Sequence, residues 1–169
     1  MKTIDIVGQN YFGSYQKTRI ACRAIIIKDD MVLLSFEKNN DLYMLPGGGI
    51  EENETDQECV KREAEEETGY IIDTDQCILE IDEYYEDVKY ITEYFFGTIK
   101  GKGMMKLTPV EARDGMEPRW MKLDEAIHIF SEHETYRNNA EMKRGLYLRE
   151  YTALKHLHFR VCENLPRSA

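Results

Sequence analysis

The sequence predicts an α/β (α+β) chain: a three-layer α/β/α sandwich with a central mixed sheet. Three observations lead there. Apolar, β-branched runs separated by turn residues recur from residue 19 to residue 99. One acid-dense helix interrupts them, and a second helical stripe follows near the end. Helices set among strands in that order can bury a sheet on both faces. With 169 residues the chain is expected to form one domain, 1–169, with a real core.

Residues 1–18 hold the turn formers Gly8, Asn10, Gly13 and Ser14. They are expected to be an N-terminal extension or an edge strand over residues 3–7. Residues 19–27 are apolar and strand-like, Asp29-Asp30 makes a turn, and residues 31–36 return as the hairpin partner. Residues 43–45 form a short strand leading into a glycine turn, Gly47-Gly48-Gly49, and Pro46 keeps Leu45 extended.

Thr55 with Glu58 three residues on makes a capping box, and Gly69 suits a left-handed stop, so a helix is predicted over residues 56–68. Val60 and Ala64 lie one turn apart, with Cys59 beside them, and mark the face that packs on a sheet. Residues 71–81 read as extended and residues 90–99 as a further strand. Residues 101–118 read as a loop on Gly101, Gly103, Pro109, Gly115 and Pro118. Residues 119–121 are a short strand, and a helix starts at Leu123 and runs towards Phe130.

Met142, Leu146, Ala153, Leu154, Leu157 and Val161 fall near helical spacing, so a C-terminal helix is expected over 139–162. Lys143, Arg144, Arg149, Lys155 and Arg160 make this end basic. That is either a solvated face balancing an acidic body or a phosphate-binding surface.

The net charge of −10 argues against general nucleic-acid binding through phosphates. A small polyphosphate bridged by a metal stays compatible, because the cation inverts the local field. No apolar run is long enough to span a membrane, and the first residues do not read as a signal peptide. The four cysteines, Cys22, Cys59, Cys77 and Cys162, show no paired spacing and read as thiols of a reducing compartment, the cytoplasm. His128, His133, His156 and His158 form no metal signature. A homodimer is compatible with the sequence, which does not fix the oligomeric state.

Residues 51–67 carry nine acidic residues against Lys61 and Arg62. Like charges at i and i+4 repel on a solvated helix, and a divalent cation is the usual remedy. Glu63 and Glu67 are one turn apart with Glu66 beside them, so all three can face one way. Hard oxygen ligands in this number suit magnesium, manganese or calcium rather than zinc.

This stretch resembles the signature box of the Nudix hydrolases. Five residues separate Gly48 from Glu54 and seven separate Glu54 from Arg62, after which come Glu63, Ala64, Glu66, Glu67, Gly69 and Tyr70. Ala64 is small and Tyr70 aromatic where the family usually has aliphatic residues. Asn53 stands where glycine is frequent, and asparagine tolerates the left-handed region better than other non-glycine residues.

The resemblance implies a Nudix-like fold and hydrolysis of a diphosphate linkage in a nucleoside diphosphate derivative, with Mg2+ or Mn2+ activating the water. By the same match Glu66 and Glu67 bind metal, Glu63 binds metal and serves as base in some members, and the Gly47 carbonyl is a further ligand. Gly48, Glu54 and Arg62 support the site, the last two as an ion pair tying loop to helix. Some members take the base from a later loop. Glu111 is the first candidate here, with Asp114 and Glu117 beside it, and the choice between Glu63 and such a loop acid stays open.

Substrate-binding residues are not assigned. Tyr84, Tyr85, Tyr90 and Tyr94 lie where a base could stack, although packing is the commoner role of strand aromatics. In the family a proline shortly after the box accompanies action on ADP-ribose, and a slightly later tyrosine action on dinucleoside polyphosphates. The corresponding stretch, Tyr84 to Val88, has no proline. A second reading stays open: a non-catalytic domain that senses a nucleotide or nucleotide-sugar.

Overall fold

The computed structural model describes residues 2–164, with side chains to residue 157. His158, Arg160, Val161 and Cys162 therefore lie outside the described side chains. The chain divides into two compact units, Met1–Leu123 and Asp124–Ala169.

The first unit holds ten strands and two helices among the described residues: β1 (Lys2–Val7), β2 (Lys17–Ile25), β3 (Ile27–Lys28), β4 (Met31–Glu37), β5 (Leu42–Met44), β6 (Gly47–Gly49), α1 (Asp56–Thr68), β7 (Tyr70–Thr74), β8 (Leu79–Tyr85), β9 (Val88–Lys102), α2 (Pro109–Asp114) and β10 (Met116–Lys122). The larger sheet runs β1-β8-β9-β2-β6, with β7 also on β9. It is mixed: β1 pairs β8 and β2 pairs β9 in parallel, while β8 and β7 meet β9 antiparallel. The smaller, antiparallel sheet runs β10-β4-β3, with β5 on β4. A mixed α/β fold around a mixed sheet is what the sequence predicts.

Several local expectations are corrected. The first hairpin is far shorter than expected. Only Ile27-Lys28 pair with β4, because β2 belongs to the other sheet and the chain changes sheets at Ile26. The turn itself stands, with Asp29 and Asp30 both at positive φ. The three glycines after Pro46 are a strand, held antiparallel by Ala21, Cys22 and Arg23 of β2. The extended stretch after α1 breaks into β7 and β8. The segment read as a loop, residues 101–118, holds the end of β9, α2 and the start of β10. Thr108 and Glu111 form a full capping box with proline in the first turn, so the helix signal was present beneath the Gly and Pro count.

The core around α1 joins Cys59, Val60 and Ala64 to Cys22, Ala24 and Ile26, to Leu33 of β4, and to Ile72 and Phe95. Val60 and Ala64 have no exposure, so the helix face read from spacing is the buried one. Burying the valine alone is worth about 1.5–3 kcal/mol. Trp120 and Tyr70 pack partly buried against this cluster. Cys22, Cys59 and Cys77 are free thiols.

The second unit holds α3 (continuing from Leu123 to Ser131), a 3-10 turn (Glu132–Tyr136) and α4 (Glu141–Asn164). Phe130 and Tyr136 both meet the Tyr147 ring edge-on, at 5.1 and 5.5 Å. Several of its described cations are engaged rather than freely solvated. Arg144 pairs with Glu134 and Glu141, Arg149 pairs with Glu150, and Lys143 lies over the Tyr136 and Tyr147 rings. No described helix is long and apolar enough to cross a membrane.

Candidate active site

Both ends of α1 are fixed by local chemistry. Thr55 N donates to Glu58 Oε2 at 2.9 Å while Thr55 Oγ1 accepts from Glu58 N, and Gly69, at φ 71°, donates its N–H to Glu65 O. These caps set the rotation of the helix and with it the direction of every glutamate. Glu63 and Glu67 are buried, and Glu66 is half-buried.

Arg62 relieves much of the like-charge repulsion. Its Nε and Nη2 grip the Glu54 carboxylate at 2.7 and 3.0 Å. Its Nη1 lies 2.8 Å from Glu63 Oε1 and 3.1 Å from Glu66 Oε2, and its Nη2 also reaches the Gly49 carbonyl at 3.2 Å. One guanidinium thus joins the loop acid to two helix acids, a geometry that suits the planar fork of arginine and not lysine. Arg62 holds the Glu54 carboxyl below the usual carboxylate range. The Arg62 pKa is raised in turn, chiefly by Glu54. Glu54 Oε2 also accepts from Glu51 N at 3.0 Å, so the loop before α1 closes on itself. Within that loop Asn53 has φ 65°.

Glu67 sits deepest, at 3% exposure. Its Oε2 accepts from Ser35 Oγ at 2.6 Å and from Gly47 N at 3.1 Å. Burial pushes its carboxyl up to about 8 despite those two donors and the nearby Arg23 guanidinium. Burial also raises the Glu63 carboxyl, against the pull of Arg62, with Glu111 and Glu66 adding to the rise.

Two glycines make room for this. A Cβ on Gly48 would lie 2.5 Å from Glu63 Oε1, and one on Gly47 would lie 2.1 Å from the Cys22 carbonyl. The Glu63 carboxylate therefore rests directly on bare backbone. Gly47 also has φ 150°, a conformation side chains rarely adopt.

Glu111 is close enough to raise the Glu63 pKa, but its own carboxylate accepts from Thr108 N at 2.7 Å in the α2 cap. Asp114 pairs with Arg113, and Glu117 with Arg119. Of the tyrosines, Tyr94 is fully buried and Tyr85 and Tyr90 meet edge-on, while Tyr84 packs against Tyr11 and Tyr15 under Lys89. Ser35 was not foreseen, although a lone hydroxyl in the apolar run Val32-Leu33-Leu34-Ser35-Phe36 is the signal that could have found it. Lys106 was not foreseen either. Its N–H donates to Glu66 O at 2.9 Å and its Nζ lies 3.8 Å from Glu66 Oε1.

Among the described residues no three His, Cys, Asp or Glu side chains are gathered closely enough to hold a metal. Glu63 and Glu66 turn to Arg62, and Glu67 turns to Ser35 and Gly47. In chemical kind the donors fit a hard divalent ion. They are all oxygen, two of them are buried carboxylates, and a single guanidinium already bridges Glu63 and Glu66.

A family model, the NUDIX domain, matches residues 17–144. The ADP-ribose pyrophosphatase of Methanocaldococcus jannaschii is 45% identical over 60 residues, which are 34% of this chain and 36% of that protein. The matched stretch thus spans only about a third of that relative's length. Among solved structures, a NUDIX hydrolase from Nitrosomonas europaea aligns with a TM-score of 0.57 at 22% identity, over 80% of this chain and 88% of that one. The E. coli ORF135 protein aligns with a TM-score of 0.54 at 18% identity, over 83% and 93%. At these identities the structural likeness speaks for the fold alone.

Proposed function

The chain belongs to the NUDIX domain family, and from that premise we propose that it hydrolyses a diphosphate linkage in a nucleoside diphosphate derivative, with a divalent ion bound at α1. The observation that carries the reading is the state of Glu63 and Glu67. Two buried carboxylates sit on one helix with pKa values raised by burial, and one of them, Glu63, rests on the bare backbone of Gly48. Such an arrangement costs stability and is typical of sites that work on charge.

Glu63, Glu66, Glu67 and the Gly47 carbonyl are the groups that would hold Mg2+ or Mn2+. When bound, the ion supplies neutralisation of the phosphate oxygens and a lower pKa for the attacking water. The chain's own groups do the rest. Arg62 and Glu54 fix the loop against the helix, and Ser35 and Gly47 N orient Glu67. Glu63, its pKa lifted by burial, is the first candidate to take the proton from water, with Glu111 as the other.

The name of the M. jannaschii relative puts ADP-ribose first among substrates to try. The missing proline after the box leaves that choice open. The test is a panel of ADP-ribose, dinucleoside polyphosphates, nucleotide-sugars and nucleoside triphosphates, assayed with Mg2+ or Mn2+ and scored for released phosphate products. Turnover on one class that a chelator abolishes is the expected result. Full turnover in excess chelator would overturn the reading, and tight binding without turnover would favour the sensor alternative.

A further inference from the structure

A groove of about 790 Å³ lies on the first unit, bordered by the β3–β4 turn, the last residues of β9, Tyr70 and Trp120. None of the acids of the candidate active site lines it. Its volume falls within the roughly 300–1,000 Å³ range of small-molecule sites.

The lining has two chemistries. Trp120 donates its indole N–H to the Tyr70 hydroxyl at 3.3 Å, with the rings edge-on at 80°. The indole N–H is thus satisfied, and what the pair offers a ligand is ring carbon, continued by Ile99, with the Tyr70 O–H still free to donate. Lys28, Lys100 and Lys102, all exposed, line the groove together with Asp29, and the Lys100 charge also helps to lower the Asp73 carboxyl on the neighbouring strand. Three lysines lining one groove stand out in a chain of net charge −10.

Their placement is built into the ladder. Lys102 is the cross-strand partner of Tyr70, and its Nζ lies 5.8 Å from the centre of that ring. Lys100 falls in the register shift between the pairs Ile71–Gly101 and Ile72–Ile99, so it has no partner opposite it. A bulge of this kind re-aims a side chain.

We propose that this groove is a second, non-catalytic ligand site for a planar aromatic group carrying phosphate, the chemistry of a nucleoside monophosphate. The ring packs on Trp120 and Tyr70, and the phosphate is held by the lysines. The mononucleotide is favoured over a nucleic-acid strand because the molecule as a whole repels a polyanion. The assignment does not depend on the hydrolysis proposed above.

Trp120 is the sole tryptophan of the chain, so its emission reports on this groove. The full chain, held in chelator to prevent turnover, is titrated with AMP, with ribose 5-phosphate and with inorganic phosphate. AMP is expected to change the emission saturably and to bind more tightly than either of the others. The Lys28→Ala, Lys100→Ala, Lys102→Ala triple variant is expected to weaken AMP binding by about tenfold or more, as lost charge-assisted bonds should. The Lys→Arg triple variant should retain binding, and an unchanged circular dichroism spectrum should show that both fold.

Absence of a saturable change, equal affinity for AMP and phosphate, or full AMP affinity in the alanine variant would each overturn the site. Tighter binding of a short single-stranded oligonucleotide than of AMP would overturn the small-molecule assignment. The chelated titration needs no activity, so a negative substrate panel leaves this test standing, and the converse also holds.

Discussion

Ser35 Oγ donates to Glu67 Oε2 at 2.6 Å, joining the middle of β4 to the last turn of α1 across 32 positions of sequence. Both residues are buried, so the bond is made where water cannot replace it.

Loss of the Ser35 hydroxyl should therefore be felt. Ser35→Ala leaves Gly47 N as the remaining donor to that oxygen and should destabilise the chelated protein by about 1–3 kcal/mol at pH 8. Denaturant midpoints for the two proteins measure this, and equal midpoints would show that the bond contributes nothing.

The pH dependence of the chelated protein follows from the same carboxyl. Glu67 moves from about 4.5 when unfolded to about 8 in the fold. Between those values the folded protein holds a proton that the unfolded chain has released. Its contribution is fully present below about 4.5 and is lost as pH rises through about 8. Glu63 acts in the same direction, while Glu54, held low by Arg62, loses its contribution only at more acid pH. Melting temperature in chelator should fall from pH 5 to pH 8, and Glu67→Gln should flatten that fall. An identical profile in the variant would place the titration elsewhere.

Glu67→Gln should separate activity from stability. An amide oxygen can still accept from Ser35 and Gly47, and the cost of protonating the carboxyl on folding is removed, so the metal-free protein should be as stable or more so at neutral pH. Turnover should drop by about a hundredfold or more if the carboxylate orients the ion, in line with lost electrostatic stabilisation elsewhere. Near-normal turnover with a lowered melting temperature would assign Glu67 to structure alone.

Gly48→Ala and Gly49→Ala form a matched pair. The first puts a methyl on the Glu63 carboxylate, and the second meets nothing nearer than the Ile20 carbonyl at 4.0 Å. Magnesium dependence of activity should shift strongly in the first and little in the second. Similar curves for both would mean that Glu63 moves aside at no cost.

Asn53, at φ 65°, should accept glycine and reject valine. Asn53→Gly should be near neutral, and Asn53→Val should lose roughly 1–2 kcal/mol from a β-branched residue in the left-handed region. Melting temperatures and magnesium dependence of both variants check this, since the loop positions Glu54. Equal tolerance would mean that the loop adopts another shape.

Helix α1 was legible to the residue because everything that defines it is local: Thr55 and Glu58 at one end, Gly69 at the other, and Val60 and Ala64 between them. The Arg62–Glu54 pair was implied by the resemblance of this segment to the signature box. The partners of Glu67 were not, because Ser35 and Gly47 reach it through sheet pairings that no local pattern encodes. The strand at Gly47–Gly49 was missed for a related reason. Three glycines have no strand preference of their own, and β2 imposes one. Helix α2 is short, opens on Pro109 and lies between Gly103 and Gly115, so only the cap at Thr108 and Glu111 marks it in the sequence.

The parallel pairing of β2 with β9 has a kinetic corollary. Cys22 and Glu93 are ladder partners 71 positions apart, so the centre of the larger sheet cannot assemble until the chain is made well past α1. Non-local parallel pairing is slow, whereas a capped helix closes in microseconds or less. Until then a 13-residue helix is marginal on its own, and its glutamates are hydrated with their charge undiminished by burial. The desolvation of Glu63 and Glu67 then arrives late, as the sheet docks.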